Sequence, residues 1–165
     1  MRLILTILCA CLLLSACEQE HQEELRKFVA FELDNMIFEG ENPNAVLTMA
    51  NLTDTDPNND IDQLVITANG YTADEVTITL LGTGDGLRKG IFHSSDGNSL
   101  TLFSSIPNTH QIANQQLGTF TFEITTVQDS LIEGKFYGTL VDSSGAISPK
   151  EAKYGFIRTI VKAAR

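Results

Sequence analysis

The sequence predicts an all-β fold, an antiparallel β-sandwich or open barrel of about ten strands. Three observations carry this. Apolar residues recur with a period of two. β-Branched residues fill the alternating runs. Turn-forming residues punctuate the chain every 8 to 15 positions.

Residues 119–125 show the period most plainly. Phe120, Phe122 and Ile124 share one face, and Thr119, Thr121, Glu123 and Thr125 take the other. Residues 76–80 alternate likewise, as do residues 135–140, with Phe136, Gly138 and Leu140 inward. One dry face and one wet face is what a half-buried antiparallel sheet requires. Turns are expected at Asp34-Asn35, Asn69-Gly70, Gly82 to Gly86, Asp96-Gly97, Asp129-Ser130 and Ser144-Gly145. They divide the chain into strands at 28–33, 36–39, 45–50, 63–68, 75–81, 89–93, 99–103, 118–127, 132–141 and 153–162. Residues 22–28 are the one stretch that admits a short helix. No Pro/Ser-rich linker interrupts residues 28–165, so they read as a single β-rich domain.

Composition bounds the function. The chain has 165 residues and a net charge of -10, with 21 acidic residues against 11 basic ones. Nucleic-acid binding needs clustered Lys and Arg to neutralise phosphates, and this balance argues against it. The charge is uneven. Residues 18–85 hold 15 acids and two bases, whereas residues 86–165 hold six acids and eight bases.

The N-terminus reads as an address. Met1-Arg2 is followed by twelve uncharged, mostly apolar residues, Leu3 to Leu14. That is too short to span a bilayer, which takes about 20 residues, and it suits a signal peptide. Next come Leu14-Ser15-Ala16-Cys17, which resemble the lipobox of bacterial lipoproteins. The resemblance implies cleavage after residue 16, lipidation of Cys17, and a membrane partner held through acyl chains. Each buried acyl CH₂ contributes about 0.8 kcal/mol. Cys9 and Cys11 would leave with the leader, so the mature chain has no disulfide.

Residues 17–27 then form an acidic tether, with four acids between Glu18 and Glu24. Glu18 stands where Asp would signal inner-membrane retention in the familiar sorting pattern. The implied place is therefore the outer membrane, on its periplasmic face or at the cell surface. The acidic stretch also resembles a surface-export signal of some Bacteroidota lipoproteins.

The strands around Leu117 to Ile124 and Ile132 to Leu140, each opening on Gly-x-Phe, resemble those of small uncharacterised Bacteroidota lipoproteins. So does the turn within residues 76–90. The likeness covers about the C-terminal two-thirds. It departs at Tyr154-Gly155-Phe156, which lacks the usual preceding Thr and Asn or Asp. The resemblance implies a β-rich fold and, with no activity established for that group, supplies no catalytic residue to carry over.

Candidate chemistry is sparse. Asp54, Asp56, Asn58, Asp60 and Asp62 place oxygen ligands at alternate positions, like the first part of an EF-hand Ca²⁺ loop. Asn59 stands where that loop needs Gly, and Val65 where it needs a bidentate Glu. The rival reading is a polar inter-strand loop. No other cofactor is implied. Gly82 to Gly86 lack the following helix that a phosphate loop uses, so they read as a turn. His93-Ser94-Ser95-Asp96 holds the letters of a hydrolytic triad, but triads are assembled in space, not in a tetrapeptide. Asp129-Ser130-Leu131 resembles an O-glycosylation acceptor of Bacteroidota, which implies Ser130 as the attachment point.

The sequence thus points to a non-enzymatic envelope lipoprotein whose β-domain binds a protein or glycan or serves a structural role. The alternative is a carbohydrate-active or hydrolytic accessory domain using carboxylates in a sheet cleft.

Overall fold

The computed structural model describes residues 25–53, 55, 60–82, 86–105 and 108–164. Eleven strands run in chain order: β1 Phe28–Leu33, β2 Met36–Glu41, β3 Asn44–Thr48, β4 Gln63–Asn69, β5 Glu75–Leu81, β6 Gly90–His93, β7 Ser99–Ser104, β8 Thr109–Ala113, β9 Thr119–Gln128, β10 Leu131–Asp142 and β11 Lys150–Ala163. The all-β expectation holds. The added strand is β8. The region expected to admit a helix differs: residues 25–27 have no regular structure and Phe28 opens β1, paired with Arg158.

All eleven strands join in one hydrogen-bonded array, which divides into two sheets sharing one apolar core. The first has the order β2-β1-β11-β10-β9-β6, and the second runs β3-β4-β5-β7-β8. The long strands β10 and β11 join them. Residues 131–140 of β10 pair with β11, whereas Val141 and Asp142 pair with Ile112 and Gln111 of β8. Residues 158–160 of β11 lie in the first sheet, and Val161 to Ala163 pair with Ala45 to Leu47 of β3. Because β10 and β11 also pair with each other, the order β11-β3-β4-β5-β7-β8-β10 closes into a ring. Closure removes the edges of the second sheet, where unpaired N–H and C=O groups would otherwise invite foreign strands. All pairings are antiparallel except β3 with β11.

Alternation builds the core. Phe120, Phe122 and Ile124 of β9, Ile132, Phe136 and Leu140 of β10, and Val76, Ile78 and Leu80 of β5 are all buried. Both sheets contribute to one apolar cluster. Phe122 and Phe136 stack at 6.0 Å between ring centroids, 6° from parallel. Gly134 makes room for this stack, since a Cβ there would stand 2.5 Å from the Phe122 ring. The β9–β10 hairpin turns through Asp129-Ser130, with Gln128 opposite Leu131.

Candidate ligand cleft on the outer sheet face

The interior is filled by phenylalanine and aliphatic side chains, so a binding site must lie on the outside. A shallow hollow lies on the outer face of the first sheet, where β10 and β11 run side by side. It holds about 580 Å³ and is lined by residues 135–137 and 153–156.

A break in register creates it. Phe136 lies opposite Gly155, but Gly138 lies opposite Ala152. Two steps along β10 therefore match three along β11. The same slip appears against β1, where Ala30 faces Phe156 and Glu32 faces Lys153. One extra residue in β11 makes a β-bulge felt by both neighbours. Its consequence is visible in burial. Lys153 and Tyr154 are consecutive and both exposed, which regular alternation forbids.

Tyr154 has φ of 53°, the left-handed region. The other non-glycine residues with positive φ, such as Asp34, Asn35, Asn42 and Asp129, lie in turns and are of types that tolerate it or, like Ala73, are small. Tyr154 is a bulky aromatic inside a strand, where this conformation costs about 1–2 kcal/mol. It is also 83% exposed, so no packing of the ring offsets that cost. Tyr137 of β10 also lines the hollow and is 60% exposed. Phe136, Gly155 and Phe156 form the floor.

Cations border the cleft. Lys135 forms no ion pair among the described residues. Lys153 pairs with Glu151 at 2.5 Å, and the hydrogen bond to that carboxylate, helped by its charge, raises the Lys153 pKa. Next along β11, Arg158 lies directly opposite Glu133. Its Nε and a terminal nitrogen donate to one Glu133 oxygen at 2.7 and 2.6 Å. The Arg158 hydrogen bond is the main reason the Glu133 carboxyl is held below its ordinary pKa, against a smaller opposing effect of burial. Arg158 also lies 5.9 Å from the Phe156 ring centre, and Phe156 packs on Phe28 at 5.5 Å. At the far end of this row Arg26 caps Phe28 and bonds Glu39 and Glu41.

The sequence-derived candidates fall elsewhere. Cys17 lies outside the described residues, as do the leader and most of the tether. Asp54, Asp56 and Asn58 also lie outside them. Asp60 is exposed, and Asp62 is buried with its Oδ1 accepting the Ala50 N–H at 2.7 Å. Its carbonyl accepts the Gly82 N–H at 3.0 Å. Asp62 therefore closes the loop onto β3 and β5. Among the described residues no three His, Cys, Asp or Glu side chains cluster closely enough to hold a metal ion.

Residues 94–96 form a 3-10 turn. The Ser94 hydroxyl is buried and accepts the Phe120 N–H at 3.1 Å, while His93 Nδ1 lies 3.2 Å from the Thr121 hydroxyl. Gly82 and Gly86 both have positive φ, and strand β6 follows them. Ser130 is exposed at the β9–β10 tip.

Comparison with protein-family models, with curated proteins and with solved structures gave no match.

The aromatic cleft was not foreseen from the sequence. One signal was present: any strict alternation through Lys153-Tyr154-Gly155-Phe156 must put either Tyr154 and Phe156 or Lys153 and Gly155 on the inner face. Neither choice is comfortable, and a bulge resolves it.

Proposed function

We propose that this chain is a lipid-anchored lipoprotein of the bacterial outer membrane, and that its β-domain is a non-enzymatic binding module using the β10–β11 cleft. The observation that carries the binding role is Tyr154. An aromatic ring that is 83% exposed and held in left-handed backbone at a bulge adds little to the fold, and strain of this kind is retained where a side chain must be aimed at something outside. The anchor rests on the lipobox-like segment ending at Cys17.

The hydrolytic alternative needs a carboxyl whose pKa is raised so that it can donate a proton near neutral pH. No raised carboxyl of this kind is found at the cleft among the described residues, and Glu133 runs the other way. Glu133 is bonded by Arg158 and its pKa is lowered, and Glu151 is engaged by Lys153.

Two experiments test this reading. Intact-mass analysis of the membrane-extracted protein should show cleavage before Cys17 and added acyl chains, and Cys17→Ser should remain an unlipidated precursor. Immobilised protein should retain a component of its own envelope polysaccharide or protein fraction that Tyr154→Gly does not retain. An unacylated mature protein would refute the anchor. Equal retention by the two proteins would refute the cleft.

A further inference from the structure

We infer that Arg26 is a clasp that straps the end of the tether onto the outer face of the first sheet, and so sets where the anchor leaves the β-domain. The bonds of the clasp join described residues alone. Its role as a strap rests on the proposed lipid anchor.

Charge distribution points to the junction. Residues 18–85 hold 15 acids, and their two bases are the neighbours Arg26 and Lys27. Glu23 and Glu24 come just before them, and Glu39 and Glu41 lie on β2. An acidic tether entering beside an acidic strand is repelled by it. Arg26 supplies the opposite charge where the two meet.

The geometry uses that charge. Phe38 and Gly40 of β2 are buried, so Glu39 and Glu41 stand on the outer face. Phe28 lies opposite Glu41 in register and shares that face. Arg26 Nε donates to Glu41 Oε1 at 3.0 Å, and one terminal nitrogen donates to the same oxygen at 2.5 Å and to Glu39. The guanidinium carbon lies 5.2 Å from the Phe28 ring centre. One residue on, the Lys27 carbonyl accepts the Asn42 N–H at 2.9 Å. From the β4–β5 turn the Tyr71 hydroxyl reaches the same Glu41 oxygen at 3.5 Å.

A single exposed ion pair is worth little. Here one guanidinium holds two carboxylates and lies over a ring, and a backbone bond pins the next residue. The strapped chain enters on the face that carries the cleft. Phe28 packs on Phe156 at 5.5 Å, and Phe156 lines the hollow.

Trypsin reads the clasp directly. To cut after Arg26 it must take the same guanidinium into its own acidic pocket, so the rate follows the unclasped fraction. The test digests the full chain purified in detergent. Cutting after the exposed Arg88 and Lys89 in the same sample is the reference. The double variant Glu39→Gln, Glu41→Gln keeps the cleavage site and should be cut after Arg26 about three- to tenfold faster relative to that reference. Glu41→Gln alone should fall between. Salt at about 0.5 M should speed the relative cut in the parent and not in the double variant. The Asn42 amide should exchange hydrogen faster in the double variant, while the amides of β9 and β10 keep their protection.

Equal relative cutting after Arg26 in the parent and the double variant would overturn the clasp. Lost protection in β9 and β10 would overturn it too, since the two carboxylates would then be supporting the whole fold. Intact mass judges the anchor separately: a clasped but unacylated mature chain would keep the clasp and refute its role as a strap.

Discussion

Gly155 lies directly opposite Phe136 across the β10–β11 pair, so close that a Cβ on Gly155 would stand 2.5 Å from both the Phe136 ring and its carbonyl oxygen. The Phe136 ring in turn stacks on Phe122. The strand pair that carries the bulge is therefore packed directly onto the core through Phe136.

Gly155→Ala should destabilise the fold by about 1–3 kcal/mol, the usual cost of forcing extra volume into a packed core. Denaturant unfolding with an unchanged m-value checks this. An Ala variant as stable as the parent would mean that the backbone there yields more readily than its two flanking ladders allow.

Asn98 is 1% exposed and joins two strand ends. Its Oδ1 accepts the Leu81 N–H at 2.8 Å, and its Nδ2 donates to the His93 carbonyl at 2.7 Å. Asn98→Ala leaves both without a partner and should cost about 2–4 kcal/mol. Thermal unfolding of Asn98→Ala beside Asn98→Asp separates the two contacts, since Asp keeps the acceptor and loses the donor.

Asp62→Ala should cost about 1–3 kcal/mol by stranding the Ala50 N–H. The loss should be the same with chelator or with millimolar Ca²⁺. A melting temperature that rises with Ca²⁺ in the parent and not in the variant would instead support the Ca²⁺-loop reading of Asp54 to Asp62.

Asp142 supplies the pH dependence. Its carboxylate accepts the Ser144 hydroxyl at 2.6 Å, together with the N–H groups of Ser144, Ala146 and Ile147. The Ser144 hydrogen bonds are the leading cause of its lowered pKa, and burial opposes them. A carboxyl with a lowered folded pKa binds protons more readily when unfolded, so its stabilisation is present above the unfolded value of 3.8 and fades as pH falls below it. The protein should lose stability on acidification through that window, and Asp142→Asn should show a shallower acid slope. Melting curves from pH 6 down to about pH 2 read both.

Most of the fold was legible because alternation and turn chemistry agreed. β1 and β5 fall on the expected residues, and the Asp129-Ser130 hairpin forms as its sequence suggests. β8 was hidden because its inward positions are Gln111 and Ala113, while Ile112 is only half-buried. A strand that buries Gln, its Nε2 without a hydrogen-bond partner among the described residues, carries no apolar period to read. The parallel contact of β3 with β11 was hidden too, since it depends on β11 running past one sheet into the other. The cleft was illegible for a related reason. A period-two reading can put only one of Lys153 and Tyr154 on the surface, and only the extra residue in β11 exposes both beside Tyr137.

The most direct measurement pairs stability with binding in Tyr154→Gly. Glycine relieves about 1–2 kcal/mol of left-handed strain and returns about 0.5–1 kcal/mol as added chain entropy. The ring it removes is almost fully exposed. The variant should therefore be as stable as the parent, or more stable by up to about 1.5 kcal/mol, while it loses retention of the envelope ligand. A variant that is clearly less stable, or that keeps the ligand, would contradict the account.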